Sequence, residues 1–172
     1  MKRTLAIAAF ALPCFLLFAL AMPELNLSGT WVLDKARSFS NPAGLEQTLT
    51  IVHNGDNVKL DARLKTDQAG DQAIQESWIL DGQERDYLPD GAKPGTKAIR
   101  KAYWLPGKRG VILVEERTTP GPNGPVLQRT TRKYSLSADG ATLTVDYFSD
   151  SPRGQSEAKR VFLRLNSPTP GS

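Results

Sequence analysis

The sequence is poor in the side chains that most often carry catalysis or bind metals. Among its 172 residues there is one cysteine, Cys14, and one histidine, His53. A structural zinc site needs more thiol and imidazole groups than these two residues supply, and Cys14 lies in the apolar leader described below, which leaves no thiol for a Cys–His nucleophilic pair after cleavage. We therefore assign no catalytic residue, no metal and no cofactor. His53 precedes the turn sequence Asn54-Gly55, and we expect it to be solvated beside a hairpin.

A strong excess of one charge is also absent. The chain has 22 basic and 18 acidic residues, and without Lys2 and Arg3 its formal net charge falls from +4 to +2. A basic cluster beside Tyr103 and Trp104 is typical of a solvated strand face at such a low net charge. We therefore expect no nucleic-acid partner.

The one long apolar run lies at the start of the sequence. Lys2 and Arg3 precede an uncharged stretch over residues 5–22. Ala19 and Ala21 near its end are the small residues that a signal peptidase requires at its cleavage site. This pattern predicts a cleaved signal peptide over residues 1–21 and export to the periplasm or the medium, with only transient membrane contact. An uncleaved membrane anchor is the alternative, because the run approaches the roughly 20 residues that span a bilayer.

After the leader, the dominant pattern is a series of short runs rich in β-branched and aromatic residues. Asn-Gly and Asp-Gly pairs between the runs favour tight turns. The pattern predicts an all-β fold, an up-and-down antiparallel barrel of eight or nine strands, in one domain over residues 22–166 with a flexible tail at 167–172. The predicted strands are 29–33, 47–53, 58–65, 73–80, 97–105, 111–118, 127–137, 142–148 and 157–165, and residues 35–46 are predicted to form a loop or a helical turn.

The first predicted strand carries the most specific motif, Ser28-Gly29-Thr30-Trp31. It resembles the Gly-x-Trp opening of lipocalins and related calycins, and more narrowly that of small secreted bacterial lipocalin-like proteins, which later carry Ser-Ala-Asp-Gly as at residues 137–140. The resemblance implies that Trp31 closes the barrel floor and that an arginine near the last strand packs across it. Arg160 and Arg164 are both candidates, and Gly29 permits the close approach of the chain.

Alternation in the predicted strand 127–137 places Arg132 and Tyr134 on its less charged face, which we assign to the barrel interior. A buried guanidinium needs a carboxylate or an anionic ligand. Glu76 lies on the same face as Trp78 and is the candidate partner. An internal Arg–Glu pair without a ligand and a ligand-contacting pair both remain open.

These observations favour a non-catalytic, exported carrier of a small apolar or amphipathic ligand, since an eight-stranded barrel has room for one small molecule. The predicted ligand-binding residues are Trp31, Glu76, Trp78, Arg132 and Tyr134. The alternative function is a cell-envelope interaction module whose barrel is filled by its own side chains and whose loops contact an unknown protein partner. An enzyme ranks third.

Overall fold

The computed structural model describes residues 25–165, which form ten antiparallel strands and one short helical turn at Pro106–Lys108. The predicted all-β fold is confirmed, and each of the nine predicted strands is present. The tenth is a strand of two residues, Arg85–Asp86, between the predicted strands 73–80 and 97–105. The strands are β1 (Gly29–Phe39), β2 (Glu46–Asn54), β3 (Asn57–Thr66), β4 (Gly70–Ile79), β5 (Arg85–Asp86), β6 (Lys97–Trp104), β7 (Gly110–Gly121), β8 (Gly124–Leu136), β9 (Thr142–Ser151) and β10 (Gly154–Arg164).

The strands form one sheet in the order β4-β3-β2-β1-β10-β9-β8-β7-β6-β5. Consecutive strands are neighbours, as in an up-and-down barrel, except β4 and β5, which are the two edges of the sheet, and β1 pairs with β10. The sheet curls until β4 approaches β6. A bridge between Asp81, just after β4, and Tyr103 of β6 connects the two sides. Beside it, the Gly82 amide donates to the Ala102 carbonyl at 2.8 Å. We call the boundary between β4 and β6 the seam.

Alternation along each strand separates the core from the surface. Along β3, Val58 and Leu60 are buried, and Lys59 and Asp61, which alternate with them, are exposed. The same periodicity brings one contiguous apolar core to the end of the barrel where β1 begins. This core consists of Leu27, Trp31, Leu49, Ile51, Val58, Leu60, Trp78, Leu80, Ala102, Val111, Leu113, Tyr134, Leu143, Val145 and Phe162.

Trp31 is completely buried and closes this end of the barrel. Its indole Nε1 donates to the Leu27 carbonyl at 3.0 Å, and the Arg164 guanidinium lies 4.2 Å from the centre of its ring. Arg164 also donates to the Ser28 carbonyl at 2.7 Å. Of the two arginines considered from the sequence, Arg164 therefore covers Trp31. Gly29 has φ +144°, and a Cβ at this position would lie 2.7 Å from Arg164 Nη1, so a side chain there would be both strained and crowded.

His53 belongs to the same closed end, and the expectation that it is solvated is wrong. Its side chain is buried, its Nδ1 accepts from the Leu27 amide at 3.2 Å, and its Nε2 lies 3.0 Å from the Gly55 carbonyl. A backbone amide and a carbonyl can both be satisfied only by a neutral imidazole protonated at Nε2. His53 thus ties the segment before β1 to the end of β2.

The prediction of a loop over residues 35–46 is also partly wrong, because β1 continues to Phe39. A register shift between Asp34 and Phe39 interrupts the pairing with β10. Ser38 fills the gap, since its hydroxyl donates to the Asp34 carbonyl at 2.6 Å and accepts from the Val161 amide at 2.9 Å. The bulge is the physical reason that the apolar alternation ends before the strand does.

The predicted signal peptide at residues 1–21 and the predicted tail at 167–172 lie outside the described residues. Within residues 25–165, no helix is long and apolar enough to cross a membrane.

Candidate functional site

Above the apolar core, the barrel interior holds an ion-pair cluster centred on Arg132. Arg132 Nη1 lies 2.9 Å from Glu76 Oε2, and its Nη2 lies 3.6 Å from Glu115 Oε1. The three side chains are only 12%, 18% and 22% exposed. Arg132 Nη2 is buried and has no hydrogen-bond partner in the described residues. The cluster joins β4, β7 and β8 across the interior, and it keeps one donor for a further polar group.

Trp78 lies beside this cluster and connects it to a second arginine. Its indole Nε1 donates to Glu76 Oε2 at 3.0 Å, and the Arg132 guanidinium lies 5.4 Å from the ring centre. The Arg100 guanidinium lies 5.0 Å from the Trp78 ring centre and 5.1 Å from that of Tyr87. Aromatic faces attract a cation but do not neutralise it. Within residues 25–165, no carboxylate lies within 4.0 Å of Arg100.

A cavity of about 290 Å³ opens at the seam, next to Trp78 and Arg100. Its apolar wall is formed by Val58, Trp78, Ile79 and Ala102, and its lining residues include the cations Lys59, Arg85, Arg100 and Lys101 but no Asp or Glu. Arg85 pairs with Asp81 at 2.6 Å and Lys101 pairs with Glu84 at 2.8 Å. Arg100 is therefore the half-buried cation of this cavity whose charge remains available to a ligand.

A third inward-facing guanidinium, Arg160, lies on β10. It donates to Asn41 Oδ1 at 3.0 Å and to Gln47 Oε1 at 2.8 Å, and it lies 4.4 Å from the centre of the Tyr147 ring. Its partners in the described residues are thus neutral. The interior above the core thus contains three cations, Arg100, Arg132 and Arg160, and two acids, Glu76 and Glu115, and this formal excess of one positive charge favours an anion.

The structure brings four of the five predicted ligand residues together. Glu76, Trp78 and Arg132 contact one another and Tyr134 follows Arg132 on the inner face of β8, whereas Trp31 lies at the closed end, in the same apolar core as Trp78 and Tyr134. Their role in ligand binding stays a prediction. The sequence analysis missed Arg100, Tyr87 and Glu115 as members of the cluster. Alternation with buried Ala98 and Ala102 was a signal that Arg100 faces inward.

Tyr134 provides a pH-dependent test of this cluster. Burial raises the pKa of its phenol above the ordinary 10.0, although the nearby Arg132 acts in the opposite direction. An unfolded chain releases this proton near its ordinary pKa, so the contribution to stability is present below that pH and is lost as the pH rises above it. Urea unfolding from about pH 8 to about pH 11 should show the wild type losing stability more steeply than Tyr134→Phe, by up to about 1.4 kcal/mol per pH unit above pH 10. Parallel curves for the two proteins would contradict this assignment.

No group of three or more His, Cys, Asp or Glu side chains in residues 25–165 is arranged to hold a metal ion. The polar groups of the interior can form ion pairs, donate hydrogen bonds and stack with aromatic rings. Such groups orient a bound molecule.

Among solved structures, the chain has low similarity to a bile acid-binding protein. The crystal structure of zebrafish ileal bile acid-binding protein complexed with cholic acid is 15% identical, with a TM-score of 0.48, over 80% of this chain and 98% of that chain. No family model and no curated protein matches the sequence. The description of the fold as an up-and-down barrel therefore rests on the strand order and register given above.

Proposed function

We propose that the protein is an exported, non-catalytic carrier of a small, partly apolar molecule that bears an acidic group. The observation that carries the proposal is Arg100, a half-buried guanidinium between two aromatic rings, without a carboxylate within 4.0 Å among residues 25–165, at the wall of a cavity of about 290 Å³. Ligand pockets are commonly about 300–1,000 Å³ in volume, so the ligand is expected to be small.

The cavity walls suit such a molecule in two ways. Val58, Trp78 and Ala102 offer apolar surface to its body. Arg100 offers an unneutralised charge to its acidic group, and removal of a charge-assisted contact typically costs more than removal of a neutral one. In this proposal Glu76 and Arg132 neutralise each other and hold Trp78 in place, while the donor left on Arg132 serves a further polar group. Export through the predicted signal peptide at residues 1–21 and kinship with lipocalin-like proteins belong to the same proposal.

A pair of fluorescent probes tests the charge requirement. 1-Anilinonaphthalene-8-sulfonate is an aromatic anion, and N-phenyl-1-naphthylamine has the same rings without the sulfonate. We expect Arg100→Met to weaken binding of the anionic probe by about tenfold, which corresponds to about 1.4 kcal/mol, because the guanidinium is the half-buried charge at the cavity that has no carboxylate partner within 4.0 Å among residues 25–165. The neutral probe should bind the variant and the wild type within about twofold of each other. Probe titrations followed by fluorescence give both affinities.

Lys97→Met is the matched control, since Lys97 is an exposed cation on the same strand. It should leave binding of both probes unchanged. Circular dichroism of each variant checks that the barrel is intact, because this anionic probe also binds partly unfolded proteins. Equal losses for Arg100→Met and Lys97→Met, or no binding of the anionic probe by the folded wild type, would refute the proposal.

A further inference from the structure

Strand β4 is an exposed edge of the sheet. It pairs with β3 and is the first strand in the sheet order, so its other side has no neighbouring strand in the described residues. The bridge between Asp81 and Tyr103 joins the seam beyond its end. From Gly70 to Ser77, each residue of β4 except Glu76 is exposed. A long exposed edge is a template for pairing with another strand.

The register identifies the backbone groups that face this open side. Asn54 and Asn57 are the pair that closes a two-residue hairpin, so the backbone groups of the next residue, Val58, point toward its partner Trp78 on β4. Consistent with this parity, the Leu80 amide donates to the Asp56 carbonyl at 2.8 Å. Even-numbered residues of β4 therefore bond to β3. The N–H and C=O groups that face the open side belong to Asp71, Ala73, Gln75 and Ser77.

Two common protections of an edge strand are missing from β4, and its inward-pointing charge, Glu76, is paired with Arg132 at 2.9 Å. β4 contains no Lys and no Pro over its ten residues, and these are the residues by which many proteins prevent strand addition. On the inner face, Ile74 is 42% exposed. An added strand would cover this apolar side chain as well as satisfy the open backbone groups.

The charge of the neighbouring strand indicates which kind of strand fits. The outer face of β3 carries Lys59, Arg63 and Lys65, with Asp61 as its one acid. Among residues 25–165, no carboxylate lies within 4.0 Å of these three cations. On β4, Lys59 faces Ser77 and Arg63 faces Ala73, small neutral residues that leave room for acidic side chains of an added strand, whereas Lys65 faces Asp71. Strands lie about 4.8 Å apart, so an added strand lies about 9.6 Å from β3, a distance that a long cation of β3 and a Glu of the added strand can span together.

We propose that β4 binds an extended acidic segment of another protein as an added strand. Backbone bonds to Ala73, Gln75 and their odd-numbered neighbours supply the pairing. Alternate apolar residues of the partner cover Ile74, and alternate acidic residues approach Lys59 and Arg63. The recognition mode is strand addition with charge selection. It does not depend on a ligand in the seam cavity.

A capped octapeptide of alternating Val and Glu, labelled with fluorescein, serves as the probe. Ala73→Pro removes an N–H that faces the open side and leaves the ladder to β3 intact, a position where edge strands tolerate proline. Ala73→Val is the matched control, because it keeps the N–H. We expect Ala73→Pro to weaken peptide binding at least about tenfold and Ala73→Val to change it less than about twofold. Fluorescence anisotropy measures the affinities, and circular dichroism checks the fold.

Two further arms keep the proposal falsifiable if Ala73→Pro does not fold. Methylation of alternate backbone nitrogens of the peptide should abolish binding to the wild type, and an alternating Val and Lys peptide should bind at least about tenfold more weakly than the acidic one. Equal binding of the acidic and basic peptides, or no acidic-peptide binding at about 1 mM, would overturn the proposal. Sedimentation that shows a dimer abolished by Ala73→Pro, without peptide binding, would also overturn it and assign the edge to a second copy of the chain.

Discussion

Replacement of Arg132 by Met is expected to lower the free energy of unfolding by about 3–5 kcal/mol. The guanidinium lies 2.9 Å from the carboxylate of Glu76 and 3.6 Å from that of Glu115. Its removal leaves both acids inside the barrel without their cation, and an uncompensated buried charge costs more than the pair itself contributes. Urea unfolding followed by circular dichroism measures the loss.

Arg129→Met is the control for this experiment. Arg129 lies on the same strand and its carboxylate partner, Glu116, lies on the same neighbouring strand as Glu115, but the pair is 3.4 Å apart and its side chains are 52% and 31% exposed. An exposed pair of this kind contributes about 0–1 kcal/mol. Adding Glu76→Gln and Glu115→Gln to Arg132→Met should recover part of the lost stability, because the buried charges are then gone. Similar small losses for Arg132→Met and Arg129→Met would show that the interior cluster is solvated.

The second large effect is expected at the closed end of the barrel. Trp31→Ala should cost about 3–5 kcal/mol of unfolding free energy, since it removes a large, fully buried side chain and leaves a cavity. The Arg164 guanidinium also loses its contact with the indole ring, and the Leu27 carbonyl loses the indole N–H donor. Trp31→Phe should cost less, because the ring still fills much of the space. Thermal and urea unfolding of the purified variants give the values.

Val32→Ala is the matched substitution on the same strand. Val32 is 39% exposed and lies on the outer face, so its truncation should change stability by no more than about 0.5 kcal/mol. If Trp31→Ala were as stable as Val32→Ala, Trp31 would not be closing the barrel.

The strands were predictable because each buries one face, and a period of two is a local signal. The extension of β1 to Phe39 was not, because a bulge filled by Ser38 carries the strand past the point where alternation stops. The two residues of β5 pair with Arg100 and Ile99, and a strand this short has no period to detect. His53 was misplaced for a related reason. Its burial depends on the segment before β1, which folds back over the end of β2.

The residues of the candidate site were likewise predictable only in part. Alternation alone placed Arg132, Tyr134, Glu76 and Trp78 on inner faces, and an elementary charge argument matched Arg132 with Glu76, which the structure shows at 2.9 Å. Arg100 was missed although its alternation is readable. Its importance depends on where the sheet ends, because the approach of β4 to β6 creates the cavity beside it. The seam results from the curl of the whole sheet.

The strand order also has a consequence for how the chain folds. Among the described strands, nine pairings make up the sheet, and β1 with β10 is the one between strands that are not consecutive. The meanders β1–β4 and β6–β10 can each form through short connections, whereas residues 87–96 link β5 to β6. When β1 pairs with β10, Trp31 comes to lie opposite Arg164. This pairing closes a loop of most of the chain, so its cost in conformational entropy is the highest of the nine. We therefore expect the rate of folding to depend on the docking of two preformed halves.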